Sequence, residues 1–193
     1  MFNRIEICGL IASGKTTFVQ ACNQLTNNLI FENFANIISL KDFYKNSSEF
    51  ALETELMFTL QHYYQLKKGQ KEHKNIVADF SLAGDYAYAL TTLSNNEMNV
   101  YRQLFDYLLS QIGYPEKIIY LHAQTDTLIK RIQSRARIYE QTIKYSYLKD
   151  LEKNLDMVLK DMFYNKVEII EINTELKPYC EYTLELIKTI LNR

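Results

Sequence analysis

Residues 9–18 read GLIASGKTTF, a glycine-bearing turn between an apolar strand pattern and a helix pattern. Gly9, Gly14, Lys15 and Thr16 fit the spacing G-x-x-x-x-G-K-[ST], in which a glycine-permitted turn aims successive backbone N–H groups at phosphate oxygens and runs into a helix N-terminus. Gly9, Leu10, Ile11, Ala12, Ser13, Gly14, Lys15, Thr16 and Thr17 thus form a candidate ATP-binding segment. Lys15 would meet the β- and γ-phosphates, and the Thr16 hydroxyl would ligate Mg²⁺. FNRIEIC before the loop alternates as a strand does, and KTTFVQACNQL within and after it has apolar residues at helical spacing. A chance glycine turn would require neither neighbour. The loop does not say where the phosphate goes: water, a nucleotide, a nucleoside and a protein side chain all stay open as acceptor.

Outward from the loop, the chain alternates short apolar runs with helical patterns. Strands are expected at 3–8, 29–32, 75–80, 117–123 and 167–172, and helices at 48–67, about 82–112 with a break near Ser94 and Asn95, 125–135, 143–163 and 178–191, with Pro178 at a helix start. Such alternation predicts an α/β fold with a mainly parallel sheet, helices on both faces, and ligands at the carboxyl ends of the strands. Those ends carry Gly9, Glu32, Asp79 and Ala123. The sequence has 193 residues, 47% of them hydrophobic and 23% charged, and it holds no repeat and no Pro- or Gly-rich linker. One domain over 1–193 is the simplest expectation.

The formal charge of −1 gives no global attraction to a nucleic acid polymer or a membrane surface. No apolar run approaches the length of a membrane span. The cysteines, Cys8, Cys22 and Cys180, match no zinc spacing and suit a reducing compartment, so a cytoplasmic protein is expected.

Glu32 ends the second strand, where a carboxylate could take a proton from an attacking hydroxyl; a solvated glutamate at a strand terminus is the alternative. Asp79 ends the third strand, a natural place for a carboxylate that holds Mg²⁺ directly or through water. Arg131, Arg135 and Arg137 lie on and just past the helix that follows the fourth strand. They are either a solvated helix face or a lid, about 131–143, that closes over ATP and neutralises the transferring phosphoryl group.

These segments together resemble the deoxynucleoside kinases, which phosphorylate the 5′-hydroxyl of deoxynucleosides. The likeness runs through FENF at 31–34, DFYKNSSEFALETELMFTLQHYYQL at 42–66, ADFSLAGDYAYA at 78–89, and RIQSRARIYEQTIKYSYLKDLEKNLDMVL at 131–159. The last is the most specific, with R-x-x-x-R-x-R-x-x-E-Q-x-I running on toward Y-L-x-x-L. The resemblance implies a three-layer P-loop kinase fold with a five-stranded parallel sheet, Mg·ATP as donor, a deoxynucleoside as acceptor and a homodimer. By the same resemblance Glu32 is the base, Tyr44 and Glu140 hold the sugar 3′-hydroxyl, the three arginines are the lid cations, and Asp85 belongs to the base pocket. Glu55 stands where the family usually has a glutamine that reads the base edge, and His62 where many members have an arginine.

Phe80 departs from the family's Glu/Asp-Arg-Ser segment, whose arginine lies near the 5′-oxygen and the phosphates. Another cation, a lid arginine or Lys41, would then be needed there. The expectation is weak but measurable kinase activity that Phe80→Arg raises. Glu55, taken as ionised, accepts two parallel N–H bonds and leans toward guanine. The alternatives are a nucleoside monophosphate kinase of the thymidylate type, which needs a cation for the acceptor's own phosphate, and a catalytically weakened nucleotide-binding or assembly protein of the same fold.

Overall fold

The structure, a computed structural model, describes residues 3–33, 37–137, 140, 142–175, 185 and 187–189. The first strand shows why this chain folds as it does. β1 (Asn3–Cys8) is buried on both faces from Arg4 to Cys8. Its sequence alternation therefore does not mark one dry and one wet face.

Ile5 and Ile7 pack with Val77, Ile119 and Leu121 against Phe18, Val19 and Ile187 on one side of the sheet. On the other side Arg4 and Glu6 form a buried ion pair at 2.8 Å. The Arg4 guanidinium donates to the carbonyls of Ile112 at 3.0 Å and Gly113 at 2.6 Å. Glu6 accepts from the Ser81 hydroxyl and the Leu82 N–H, each at 3.0 Å. The cation thus meets a helix C-terminus and the anion a helix N-terminus, the arrangement that helix dipoles favour.

The remaining elements follow in chain order: α1 (Lys15–Cys22), β2 (Leu29–Ile30), α2 (Leu40–Lys45), α3 (Ser47–Glu72), β3 (Asn75–Ala78), α4 (Leu82–Thr92), α5 (Asn95–Ile112), β4 (Lys117–His122), α6 (Thr125–Arg135), α7 (Tyr145–Val158), a π-helical turn (Leu159–Phe163) and β5 (Glu168–Asn173). The sheet order is β2-β3-β1-β4-β5, with every adjacent pair parallel. Ile76, Ile118 and Tyr120 face Leu66 of α3, Tyr86 of α4, Phe105 of α5 and Leu151 of α7. The period-two split of strand residues between these two clusters makes the sheet the middle of three layers.

The expected break near Ser94 is present. Ser94 and Glu97 form a reciprocal capping box that starts α5. β2 is shorter than the expected 29–32 and leaves Glu32 just past its end, while α2 is a short helix that the apolar spacing did not announce. The helix expected at 178–191, with Pro178 and Cys180, falls largely outside the described residues, as do Ile138, Tyr139 and Gln141 of the 131–143 segment.

Candidate active site

The Gly9–Thr17 turn joins β1 to α1 as a loop with left-handed backbone at Gly9 (φ 150°), Ala12 (φ 63°) and Gly14 (φ 101°). A Cβ on Gly9 would collide with the Leu121 carbonyl, so the loop lies too close to β4 for any side chain there. Leu10 and Ser13 are buried, which leaves their backbone to meet phosphate. Lys15 Nζ donates to the Gly9 and Leu10 carbonyls at 2.9 and 3.1 Å, folding its ammonium over the loop where a polyphosphate would sit.

Thr16 donates its hydroxyl to Asp79 Oδ2 at 2.8 Å. Asp79 Oδ1 is buried with no hydrogen-bond partner among the described residues. Burial pushes the Asp79 carboxyl up to about 6, against the pull of the Thr16 bond and Lys15. A buried carboxylate oxygen without a partner, beside a threonine hydroxyl, fits a hard divalent cation that takes its other ligands from phosphates and water. No cluster of three or more His, Cys, Asp or Glu side chains able to hold a metal occurs among the described residues. A Mg²⁺ site completed by Thr16, Asp79 and a nucleotide would need none.

The three arginines divide into two roles. Arg131 on α6 donates to Thr174 Oγ1 at 2.9 Å, to the Thr174 carbonyl at 3.1 Å and to the Ala12 carbonyl at 3.4 Å, tying the loop to the chain just after β5. Arg135 and Arg137 both engage Glu140: Arg135 Nε at 2.7 Å with a second guanidinium contact, and Arg137 at 3.3 Å. Glu140 is buried. It therefore holds two arginines over the cavity, a role that spacing alone did not reveal.

One cavity of about 510 Å³ runs from Gly14, Lys15 and Thr16 past Glu32 and Phe80 to Glu55, His62 and Asp85, with Tyr44 and Glu140 on its wall. Among the described residues it also takes in Phe58, Tyr88 and Tyr147, aromatics that the sequence reading missed. Their signal was present, since Phe58 lies three residues beyond Glu55 on α3, Tyr88 three beyond Asp85 on α4, and Tyr147 precedes Leu148 in the Y-L-x-x-L run. Glu55 accepts from the Thr92 hydroxyl at 3.0 Å. Burial raises its carboxyl to about 8, Thr92 opposes the rise and Asp85 adds to it. The ionised form assumed from the sequence is not the one this pocket favours at neutral pH.

His62 lies between two carboxylates. Its Nδ1 is 2.9 Å from Asp85, and its Nε2 is 3.5 Å from Glu32. Phe80 stacks on the ring at 3.8 Å with an interplanar angle of 6°.

A profile of the deoxynucleoside kinase family matches residues 5–192. The chain belongs to the deoxynucleoside kinase family. It is 30% identical over 171 residues to the deoxyguanosine kinase of Bacillus subtilis, covering 82% of this chain and 79% of that protein. It is 26% identical over 175 residues to a deoxyadenosine kinase of Dictyostelium discoideum, with 88% and 71% covered. With human deoxycytidine kinase it shares 25% over 236 residues, 98% and 91% of the two chains. A solved deoxyadenosine kinase of M. mycoides, with the products dCMP and dCDP bound, matches with a TM-score of 0.83 at 24% identity over 98% of each chain. That likeness shows the fold, the α/β architecture with a parallel sheet that the alternation of strands and helices predicts.

Among the described residues no helix is long and apolar enough to cross a membrane.

Proposed function

We propose that this kinase transfers the γ-phosphoryl group of ATP to the 5′-hydroxyl of a 2′-deoxynucleoside, giving the monophosphate and ADP. The observation that carries this reading is the continuity of one cavity, with phosphate-holding backbone at one end, Glu32 in the middle and a buried polar pocket at the other. The loop N–H groups and Lys15 hold the β- and γ-phosphates. Glu32 accepts the 5′-hydroxyl proton as that oxygen attacks phosphorus, and the bond to the ADP oxygen breaks. Arg131, Arg135 and Arg137 face the charge that develops on the transferring group. Tyr44 and Glu140 hold the sugar, and Glu55 and Asp85 meet the base. Mg²⁺, held by Thr16 and Asp79, supplies charge neutralisation on the phosphates. A thymidylate-type kinase would need a cation facing the acceptor's own phosphate, and the apolar Phe80 occupies the wall where one would serve. The test is a panel of nucleosides and monophosphates with Mg·ATP. New monophosphate is expected, and new diphosphate would overturn the reading.

The base preference follows from the protonation of Glu55. As a neutral acid it offers one donor and one acceptor, complementary to N1 and the amino group of adenine or N3 and the amino group of cytosine. As a carboxylate it offers two acceptors, complementary to N1–H and the amino group of guanine. Its raised pKa means that the folded empty pocket binds a proton more tightly than the unfolded chain. The associated stability is therefore present at low pH and is lost as pH rises toward about 8. The same sign governs binding. KM for deoxyadenosine and deoxycytidine is expected to rise above about pH 8, approaching tenfold per unit, while KM for deoxyguanosine falls up to that point. Glu55→Gln removes the pH dependence and keeps the adenine-type preference. Parallel profiles for all three nucleosides in the wild type would assign base reading to other residues.

The homodimer belongs to the same proposal. Met57, Leu60 and Tyr64 on α3 and Val100 and Tyr107 on α5 are exposed, and the two helices are tied by a bond between Thr59 Oγ1 and Tyr101 Oη of 2.6 Å. This apolar face suits a second copy of the chain across a two-fold axis. Tyr64→Asp with Tyr107→Asp is expected to give a monomer by light scattering, and an unchanged mass would remove this face from the interface. A cytoplasmic location agrees with the free, buried thiols of Cys8 and Cys22.

A further inference from the structure

Two carboxylates from separate elements converge on His62. Asp85, on α4, places both oxygens 2.9 Å from Nδ1. Glu32, just past β2, lies 3.5 Å from Nε2 as an ion-pair contact, and that buried nitrogen has no hydrogen-bond partner among the described residues. Ionised carboxylates only accept, and a neutral imidazole carries one N–H, so satisfying both sides requires a ring protonated on both nitrogens. The imidazole is almost fully buried. Phe80 covers one face at 3.8 Å and Phe58 lies against it at a ring distance of 5.9 Å, which fixes the plane of the ring.

Arg131 and Arg135 are engaged away from this point. Arg131 is held at Thr174, and Arg135 and Arg137 are held at Glu140. The side chain of Lys41 lies outside the described residues.

We propose that His62 is a positioning residue, protonated on both ring nitrogens, that orients Glu32 toward the acceptor hydroxyl from an anchor on Asp85, with Phe80 as the platform that holds its ring. This rests on the kinase reading for what Glu32 does, and it gives Phe80 a part that the sequence did not predict. The aromatic ring is not a lost cation but the support of a different one. The imidazolium also joins the two ends of the cavity, because Asp85 faces the base pocket and Glu32 the reacting oxygen. A base that disturbs Asp85 therefore disturbs the alignment of Glu32.

The charged groups around the ring favour its protonation. Besides Glu32 and Asp85, Asp79 just past β3 adds negative charge, Glu55 on α3 is a neutral acid at neutral pH, and Lys15 at the start of α1 is the opposing cation. Burial alone would depress the imidazolium, but Asp85 and then Glu32 outweigh it and hold the ring at about 10. Burial raises the Asp85 carboxyl as well, and the adjacent imidazolium opposes that rise.

The test combines spectroscopy of the free protein with kinetics. At about pH 8, nitrogen chemical shifts of ¹⁵N-labelled protein are expected to show both ring nitrogens of His62 protonated, a state an ordinary histidine has lost by then. His62→Gln is expected to lower kcat about 10–10²-fold, the scale of a misplaced reacting group, with KM for ATP unchanged. His62→Arg, which keeps a cation able to bond both carboxylates, is expected to recover part of that loss. Phe80→Arg sets a second cation against the imidazolium and is expected to lower turnover rather than raise it. A neutral His62 ring at pH 8 overturns the proposal whether or not any nucleoside is phosphorylated. With an active wild type, so does a His62→Gln enzyme of wild-type kcat. Absence of transfer to every member of the nucleoside panel would instead sink the kinase reading, and the ring's protonation would still decide the charge state of His62.

Discussion

Glu32→Gln lowers kcat by about 10²–10⁴-fold and leaves nucleoside affinity nearly unchanged, the range typical for loss of a general base. The glutamine amide has the shape of the carboxylate and can still lie beside His62 Nε2, which sits 3.5 Å away in the wild type. The cavity wall and the imidazolium therefore stay in place, and what is lost is the group that can take a proton. The expected signature is a fall in kcat and kcat/KM together with a constant Kd for the nucleoside, measured by steady-state kinetics and direct binding. A mutant with near-native turnover would make Glu32 a bystander at the end of β2 and leave the acceptor's proton to solvent.

Lys15→Ala reduces kcat/KM by at least about 10²–10³-fold, the loss seen when one preorganised charge-stabilising donor is removed from a reacting oxyanion. The ammonium is spent on the Gly9 and Leu10 carbonyls, at 2.9 and 3.1 Å, and none of the buried core depends on it. The variant is therefore expected to fold with the wild-type circular dichroism spectrum and a similar Tm, and to bind ATP weakly. Because the loop backbone at Gly9, Ala12 and Gly14 is held by its own left-handed turns, the N–H cradle survives the substitution. Turnover unchanged in a folded Lys15→Ala protein would remove the phosphate loop from the chemistry altogether.

Much of this was legible in residue order because the signals are local. Gly9, Gly14, Lys15 and Thr16 specify a loop whose geometry depends on their own backbone. The period-two and helical patterns place the strands to within a few residues, and α6 falls on the expected 125–135. Local reading failed where the partner comes from elsewhere in the chain. Arg4 and Glu6 look like the wet side of β1, yet they are buried because the ends of α4 and α5 supply their bonds. Glu140 looks like a sugar ligand and also clamps Arg135 and Arg137.

Residue order alone sets the sheet, the phosphate loop and the carboxylates at the strand ends, since each follows from a pattern within a short window. The environments that tune the protonation of those carboxylates arise from packing between distant segments. Whether Glu55 is an acid or an anion depends on the water that α4 and α7 exclude around it. Whether His62 carries one proton or two depends on Asp85 and Glu32 arriving at its two nitrogens from separate elements. Desolvation and charge pairing act over a few ångströms of space, and no spacing along the chain encodes which residues will share them.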